Sequence, residues 1–367
     1  MHLAGQTRAA LEQWARERGA GSGAARTLAR ALVARFAGRA IDARPSQALL
    51  EAAAQFDQAL PPAAAVLDPD GTVRFAVTLG DGALIETVLI HQPESDRRRR
   101  ARVTVCLSSQ VGCARGCSFC ETGRLGLQRN LTAAEIVVQY AIAARHLARS
   151  RVDAASPLDA SSPVDASSPV DAVSPGNVVF MGMGEPLDNL DEVLRAIEVL
   201  VDPLGFAVPE RRITVSTVGI VPKLPELYAR TRANVAISLH AIEPAVRRAL
   251  LPVARKWPLE ELRAAIARSP RPVLLQWTLI EGQNDSDRDA DLLARFAAGL
   301  EGARVNLIPL NPGPVASQRA PPIERCRAFQ KRLADQGVRA LLRMPHGRSI
   351  GGACGQLAGA CRQSRLG

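Results

Sequence analysis

The chain has 367 residues and carries 46 Lys and Arg against 36 Asp and Glu, which gives a formal net charge of +10. Hydrophobic residues make up 47% and charged residues 22%, proportions that are ordinary for globular proteins and exclude a wholly disordered chain. No apolar run of about 18 residues occurs, and the first twenty residues lack the apolar core of a secretory signal. We therefore expect a cytoplasmic protein without a membrane partner. Its positive charge favours a polyanionic partner such as nucleic acid.

The N-terminal part of the chain is predicted to consist of two pieces. Residues 1–75 are expected to form a small helical accessory domain that is a candidate RNA-binding unit, because apolar residues recur at helical spacing between Leu28 and Phe36. Residues 76–102 are expected to hold a β-hairpin and a basic loop. Two alternating runs flank a Gly-Asp-Gly turn at 80–82, and four consecutive arginines follow at 97–100.

From residue 103 to 345, strand-like and helix-like runs alternate, which is typical of a parallel sheet covered by helices. The strand candidates are 103–107, 177–181, 212–216, 235–239, 273–280 and 305–310, and the helix candidates are 132–149, 190–201, 259–267, 286–300 and 323–336. A capping box, Thr132 with Glu135, opens the first helix. Six such units predict an α/β fold, a partial (β/α)6 barrel with its chemistry at the strand ends. A further strand at 339–344 precedes a C-terminal tail, 346–367.

One segment inside the predicted barrel does not fit a packed core. Between residues 150 and 176, aspartates recur every six residues in a sequence rich in Ser, Pro and Ala: Asp153, Asp159, Asp165 and Asp171. Such a composition cannot bury enough apolar surface to offset the entropy of ordering it. We predict a disordered insertion here.

The cysteines are concentrated in one place. Of seven in the chain, four fall within 106–120, and Cys113, Cys117 and Cys120 have the spacing C-x3-C-x2-C just after a predicted strand. An odd count in a large chain without an export signal argues against a disulfide framework. Three thiolates can bind three irons of a cubane cluster and leave the fourth iron open. The alternative from the residues alone is a structural zinc site with Cys106 as fourth ligand.

This spacing, with the aromatic Phe119 before the third cysteine, resembles the radical S-adenosylmethionine (SAM) superfamily. Segments 105–113, 181–187, 238–241, 306–312 and 353–359 are similar, in that order, to motifs of the RlmN/Cfr family of RNA adenosine methyltransferases. The resemblance implies a radical SAM barrel. It also implies one 4Fe–4S cluster on Cys113, Cys117 and Cys120, with SAM on the open iron and an electron donor such as flavodoxin or ferredoxin.

The resemblance further implies residues that contact SAM, all at successive predicted strand ends: Gly184, Glu185, Ser216, Ser238, Leu239, His240 and Asn311. A glycine at position 184 permits close approach of the backbone to a ligand. A carboxylate at position 185 suits the ammonium group of SAM.

Three more residues have roles that the resemblance implies. Cys354 is the acceptor that becomes S-methylcysteine, Cys106 is the resolving thiol that forms a transient disulfide with it, and Glu86 accepts the ring proton. From the residues alone, a cysteine such as Cys106 on a strand is usually a core thiol, and a glutamate such as Glu86 is usually an exposed strand charge. Cys326 and Cys361 match no motif. Ser349, where relatives commonly carry an acidic residue, predicts a more flexible loop before Cys354.

The function that these expectations imply is methylation of an adenine ring carbon, C2 rather than C8, in structured rRNA or tRNA. Two SAM molecules and a methyl-cysteine intermediate would be used, and the enzyme is expected to be a monomer. The first alternative is a radical SAM enzyme with a non-RNA substrate. The second is an RNA-binding module with an iron–sulfur or zinc site and no activity.

Overall fold

The computed structural model describes residues 2–39, 42–92, 101–155 and 175–357. The arginine run at 97–100, most of the aspartate repeat, and Cys361 lie outside these residues. No helix in the described part of the chain combines the length and apolarity needed to cross a membrane.

The N-terminal part contains three helices followed by three antiparallel strands: α1 (Arg8–Arg16), α2 (Ser22–Phe36), α3 (Gln47–Ala53), β1 (Ala63–Leu67), β2 (Val73–Thr78) and β3 (Leu84–Gln92). The expected hairpin is therefore present as β2 and β3, with Val73, Phe75 and Val77 buried on one side of β2. The boundary predicted at residue 75 is wrong, since β1 and β2 both begin before it. Strand β1 escaped prediction because all five of its residues are exposed and three are alanines, so it shows no apolar alternation.

The rest of the chain alternates strands with helices. The strands are β4 (Arg102–Cys106), β5 (Gln110–Cys113), β6 (Gly126–Asn130), β7 (Asn177–Phe180), β8 (Ile213–Thr217), β9 (Asn234–Ser238), β10 (Leu274–Leu279), β11 (Arg304–Pro309) and β12 (Ala340–Leu342). The helices are α4 (Glu121–Arg124), α5 (Ala133–Ala155), α6 (Leu190–Val201), α7 (Leu224–Arg230), α8 (Pro244–Leu250), α9 (Leu259–Ala267), α10 (Asp287–Ala297) and α11 (Ile323–Asp335). All six predicted β/α strands are found within two residues of their expected bounds.

One large sheet organises these elements, in the order β1-β2-β3-β4-β7-β8-β9-β10-β11-β12. From β4 onward every neighbouring pair is parallel, which confirms the partial barrel. Strands β5 and β6 form a separate two-stranded sheet above it. Beyond β12 no further strand is paired in the described residues, so the barrel is open between β12 and the β3–β4 side.

Helix α5 begins at the position that the sequence predicted but ends later than expected. The expected capping box is present, because Thr132 Oγ1 accepts from the Glu135 backbone N at 3.2 Å and Glu135 Oε2 accepts from the Thr132 N at 2.9 Å. The helix continues to Ala155, so the low-complexity insertion starts later than residue 150. The hydroxyl of Tyr140 on α5 donates to the Pro175 carbonyl at 2.8 Å, where the described chain resumes.

The inner face of the parallel strands is polar at several positions. Parallel sheets covered on both faces usually carry nearly continuous apolar residues. Here Asn177, Gln276 and Asn306 are buried on the barrel side, in the wall of an internal cavity. Buried amides in such a sheet require hydrogen-bond partners, so this face suits a polar ligand better than apolar side-chain packing.

Candidate active site

The loop with three cysteines starts from a sharply constrained hairpin. Strand β5 ends at Cys113 and pairs with β6, with an irregularity between Val111 and Gly112. Gly112 has φ +77°, and a Cβ there would lie 1.8 Å from the Gly126 carbonyl oxygen. Only glycine permits this approach, which places Cys113 at the rim of the barrel.

The three cysteines of the motif line one cavity of about 140 Å³. Cys113 is buried, and Cys117 and Cys120 are half-buried. Burial raises the pKa of each thiol, that of Cys113 to about 12, and the charges of the neighbouring thiols raise those of Cys113 and Cys117 further. All three are therefore protonated near neutral pH, and a metal that binds them must displace protons.

The triad is compatible with a cubane cluster, in which each thiolate binds a different iron. Within the described residues, no three His, Cys, Asp or Glu side chains converge closely enough to hold one metal ion. A zinc ion needs such convergence, whereas each cysteine of a cubane binds a different iron, so the thiolates are spread around the cluster. Cys106, the fourth ligand of the zinc alternative, lines a different cavity.

The wall opposite the triad contains most of the residues expected to contact SAM. The cavity lining includes Gly184, Glu185, Ser216, Ser238, His240 and Asn311. Leu239 is not part of that lining; its side chain is fully buried and its carbonyl accepts from the Arg247 guanidinium. Gly184 has φ +101°, and a Cβ there would come within 2.6 Å of Gln110 Cβ, so glycine is required.

Glu185 is a buried carboxyl group at this wall. Its Oε1 accepts from the Leu187 backbone N at 3.0 Å and its Oε2 from the Val218 N at 2.9 Å. Burial nevertheless raises its pKa to about 7, and the Val218 bond lowers it only in part. A cationic group that enters the cavity would stabilise the ionised form of this carboxyl.

His240 is a neutral, rigidly held imidazole. Its Nδ1 accepts from the Thr278 backbone N at 2.9 Å, so Nε2 carries the proton. Burial lowers its pKa to about 3, and the charge of Arg247 adds to the effect. The ring packs edge-on against Phe119 with centroids 4.8 Å apart, which joins this strand end to the cysteine loop.

The C-terminal loop closes the cavity and carries Cys354. Asn311 Nδ2 donates to the Cys354 carbonyl at 3.0 Å, the Glu121 backbone N donates to the Gly355 carbonyl at 2.8 Å, and Thr122 Oγ1 donates to the Leu357 carbonyl at 2.8 Å. Asn311, predicted as a SAM contact, thus uses its amide to hold this loop. The loop is fastened to the cysteine motif on one side.

The other side of the loop is hydrogen-bonded to the turn between β1 and β2. Asp68 Oδ2 accepts from both the backbone N and the hydroxyl of Ser349, and Asp70 Oδ2 accepts from the Gly347 N at 2.9 Å. The acidic group expected at position 349 is therefore supplied from the turn between β1 and β2. Sequence reasoning missed these contacts, because the partners lie more than 270 residues apart.

A second cavity, of about 560 Å³, contains both Cys106 and Cys354. Cys106 ends β4 and is buried, and burial raises its pKa, with the charge of Cys354 as a smaller cause. Cys354 also lines the first cavity, so it lies where the two meet. Its surface is accessible because it faces open cavity space, while the surrounding protein still raises its pKa.

Glu86 is placed less favourably than expected. It is fully buried and forms an ion pair with Arg74 on β2. Glu86 lies two residues before Val88, and Val88 pairs with Cys106. The side chains of Glu86 and Cys106 therefore belong to the same face of the sheet. The Glu86 carboxylate is not among the described lining residues of either cavity.

Comparison with known proteins identifies the family. A model of the Radical SAM superfamily matches residues 170–293. A probable RNA methyltransferase from Sorangium cellulosum is 48% identical over 80% of this chain and 67% of its own, and a dual-specificity RNA methyltransferase RlmN from Syntrophobacter fumaroxidans is 44% identical over 78% and 77%. A crystal structure of a radical SAM methyltransferase from Sphaerobacter thermophilus superposes with a TM-score of 0.81 at 37% identity, covering 98% of this chain and 99% of that one.

The chain belongs to the RlmN family of radical SAM RNA methyltransferases. This membership confirms the family that the motif order predicted. It also decides against the inactive RNA-binding module considered above, because the relatives are named as methyltransferases.

Sequence reasoning missed one residue that lines both cavities. Gln276 on β10 lines both cavities, and its Oε1 accepts from Ser216 Oγ at 3.1 Å. A signal was present, since a glutamine stands in the middle of a largely apolar, buried strand. Met181 shares both walls and contacts Gln276 Nε2 through its sulfur at 3.5 Å.

The Asp68 contact predicts a measurable effect on the loop. Asp68→Ala and Ser349→Ala each remove a hydrogen bond to a charged group, which stabilises by roughly 1.5–3 kcal/mol. Amide exchange across residues 346–357 should then speed up about tenfold or more, as measured by mass spectrometry. Asp42→Ala, at an exposed carboxylate whose ion-pair partner among the described residues is Arg44, is the matched control and should leave exchange unchanged. Exchange rates equal to the wild type in all three variants would show that the turn between β1 and β2 does not hold the loop.

The neutral His240 predicts a pH dependence of stability. Its folded pKa of about 3 lies below the unfolded value of 6.5, so the unfolded chain binds the proton first and stability falls as pH decreases between these values. The slope from this group is about 1.4 kcal/mol per pH unit. His240→Asn does not titrate and tolerates the backbone φ of +56°. Urea unfolding at pH 7 and pH 5 should show a smaller loss for the variant; equal losses would contradict the assignment.

Proposed function

We propose that this enzyme methylates a ring carbon of adenosine, C2 rather than C8, in structured RNA through an S-methylcysteine at Cys354. The observation that carries the proposal is that Cys354 lines both the cavity of the cysteine triad and the cavity of Cys106. A methyl carrier must meet SAM on one side and the RNA base on the other. A transferase without a carrier would have no use for a second thiol on the far side of the first.

The triad and its opposite wall are proposed to hold a 4Fe–4S cluster and SAM. Once bound, these cofactors supply a radical cleavage of SAM, driven by an electron from a donor such as flavodoxin or ferredoxin. Gly184 lets the backbone approach the ligand, and Glu185 accepts hydrogen bonds from its ammonium group. His240 offers Nε2–H as a donor, and the buried wall excludes water from the reacting groups.

The two thiols of the second cavity are proposed to have different roles: Cys354 accepts the methyl group, and Cys106 releases the product. Burial raises the pKa of Cys354 and the charge of Arg343 lowers it in part, so Arg343 helps the thiol lose its proton when it accepts the methyl group. After the methyl carbon has joined the base, the Cys106 sulfur attacks the Cys354 sulfur. A sulfur–sulfur bond forms as the sulfur–carbon bond breaks, the carbon keeps the electron pair of that bond and takes up the proton that the Cys106 thiol loses, and the methylated base is released.

Glu86 is proposed to accept the ring proton. Its ion pair with Arg74 stabilises the carboxylate form that a base requires. Because it shares a sheet face with Cys106, a short rearrangement of the Arg74 contact would turn it towards the second cavity. Glu86→Gln should keep Cys354 methylation and lose RNA methylation; unchanged RNA methylation would remove Glu86 from the mechanism.

The RNA substrate is proposed to be rRNA, tRNA or both, with the enzyme acting as a monomer in the cytoplasm. The net charge of +10 supports a polyanionic substrate, and the description of one relative as dual-specificity supports more than one RNA. Mass spectrometry of RNA nucleosides from cells with and without the gene should show 2-methyladenosine only in the first. Its absence, or 8-methyladenosine in its place, would overturn the choice of C2.

The cluster proposal predicts metal content. Anaerobically reconstituted protein should contain about four irons, because three thiolates hold a cubane. Cys117→Ala should lose both the brown chromophore and SAM cleavage. Cys326→Ala is the matched control, since that buried cysteine contacts only the Pro321 carbonyl at 3.8 Å among the described hydrogen bonds. Zinc in place of iron in the purified protein would refute the proposal.

The two thiols predict different failures. Cys354→Ala should lose methylation of both protein and RNA. Cys106→Ala should still load Cys354 and attack the base, but it should remain covalently joined to RNA. Digestion of that variant should yield a nucleotide adduct on the Cys354 peptide, detectable by mass spectrometry. A Cys106→Ala enzyme with full activity and no adduct would show that Cys106 is only a core thiol.

A further inference from the structure

The larger cavity carries a distinctive set of side chains around its two cysteines. Four arginines and one histidine line it, and no Asp or Glu is among its described lining residues. Its amides are Gln92, Asn177, Asn234, Gln276, Asn306 and Asn311. Positive charge favours an anionic ligand, and a wall of amides favours one with hydrogen-bonding edges. A nucleotide has both properties.

Asn306 on β11 has an unused hydrogen-bonding atom in this wall. Its residue is 1% exposed, and its Oδ1 has no hydrogen-bond partner in the described part of the chain. A buried oxygen left without a donor is costly, so a donor from a ligand would stabilise it. Asn234 differs, since its Nδ2 donates to the Arg211 and Ile213 carbonyls at 2.7 and 3.1 Å.

The free oxygen of Asn306 matches one edge of adenine. Adenine carries an amino donor at N6 beside a ring acceptor at N7, and an asparagine amide pairs with both atoms in protein–nucleic acid complexes. Cys106 and Cys354 line the same cavity. A base held by Asn306 would therefore share its cavity with the proposed methyl carrier and its resolving thiol.

Arg343 provides the charge for a phosphate. It follows β12, and its backbone N donates to the Leu307 carbonyl at 2.9 Å. It lies two residues beyond Leu341, which pairs with Asn306, so its side chain belongs to the same face of the sheet. Burial and the charge of Arg102 both lower its pKa, and no described carboxylate forms an ion pair with it. An anion placed beside the two guanidinium groups would relieve their repulsion.

We propose that the target nucleotide binds in this cavity with its adenine amino group on Asn306 Oδ1 and its phosphate on Arg343. The inference rests on the proposed function and adds the residues that select the nucleotide. Asn306 distinguishes adenine from bases without an amino group at this edge. Arg343 positions the sugar–phosphate so that the base faces Cys354.

Equilibrium dialysis with the anaerobic, cluster-loaded full chain tests both contacts. The probes are adenosine 5′-monophosphate, purine riboside 5′-monophosphate, which lacks the amino group, and adenosine, which lacks the phosphate. The wild type should bind the first about tenfold or more tightly than either of the others. Asn306→Ala should abolish the preference for the amino group alone, and Arg343→Gln the preference for the phosphate alone.

Three further variants control for structural damage. Asn234→Ala, in the same cavity but with its amide already bonded to the protein, should keep both preferences. Asn306→Asp, which keeps an acceptor oxygen, should keep the amino preference, and Arg343→Lys should keep part of the phosphate preference. Iron content and circular dichroism should match those of the wild type throughout.

Several results would overturn the proposal. No saturable binding of adenosine 5′-monophosphate to the wild type, or an amino preference that survives in Asn306→Ala, would show that the base is read elsewhere. A phosphate preference that survives in Arg343→Gln would show that the phosphate is bound elsewhere. The proposed function fails separately, if wild-type protein never methylates Cys354 or RNA although the binding preferences hold.

Discussion

The position of one sulfur atom constrains the whole site: Cys354 must border the cavity of the cysteine triad and the cavity of Cys106 at once. That position is held through the backbone and not through the side chain. Asn311 binds the Cys354 carbonyl, and the turn between β1 and β2 binds Ser349 further upstream. The turn between β1 and β2 therefore helps to hold the loop that places Cys354 between the two cavities.

Burial shifts the ionisation of the thiols, of Glu185 and of His240 around this site. It raises the pKa of the cysteine thiols and of Glu185, to about 7 for the latter, and lowers that of His240 to about 3. Near pH 7 the thiols and His240 are therefore uncharged, and Glu185 is close to the pH at which it ionises. Metal, ammonium or phosphate would each stabilise the charged partner that it meets, so occupancy and ionisation are coupled. Thiols that stay protonated until the site is filled are also less exposed to side reactions.

The sequence predicted those features that local patterns encode. Periodic apolar residues located the six β/α strands, and the spacing of Cys113, Cys117 and Cys120 predicted a metal site at three cysteines that line one cavity. Strand β5 was missed because its hairpin depends on the close approach at Gly112, which is not visible as alternation. The partners Arg74 for Glu86 and Asp68 for Ser349 were missed because a hydrogen bond across the fold leaves no periodic signal in the chain.

The two thiols differ in how they are held, and this difference fits their proposed roles. Cys106 belongs to the sheet, where its strand pairs with Val88 on one side and Val179 on the other. Its position cannot change without breaking the ladder. Cys354 lies in a loop, and its backbone carbonyl is held by Asn311. Rotation about the Cα–Cβ bond is therefore the simplest movement of its sulfur. Because Cys354 borders both cavities, such a rotation is the movement that the proposed carrier role would require, with Cys106 held in place by its strand.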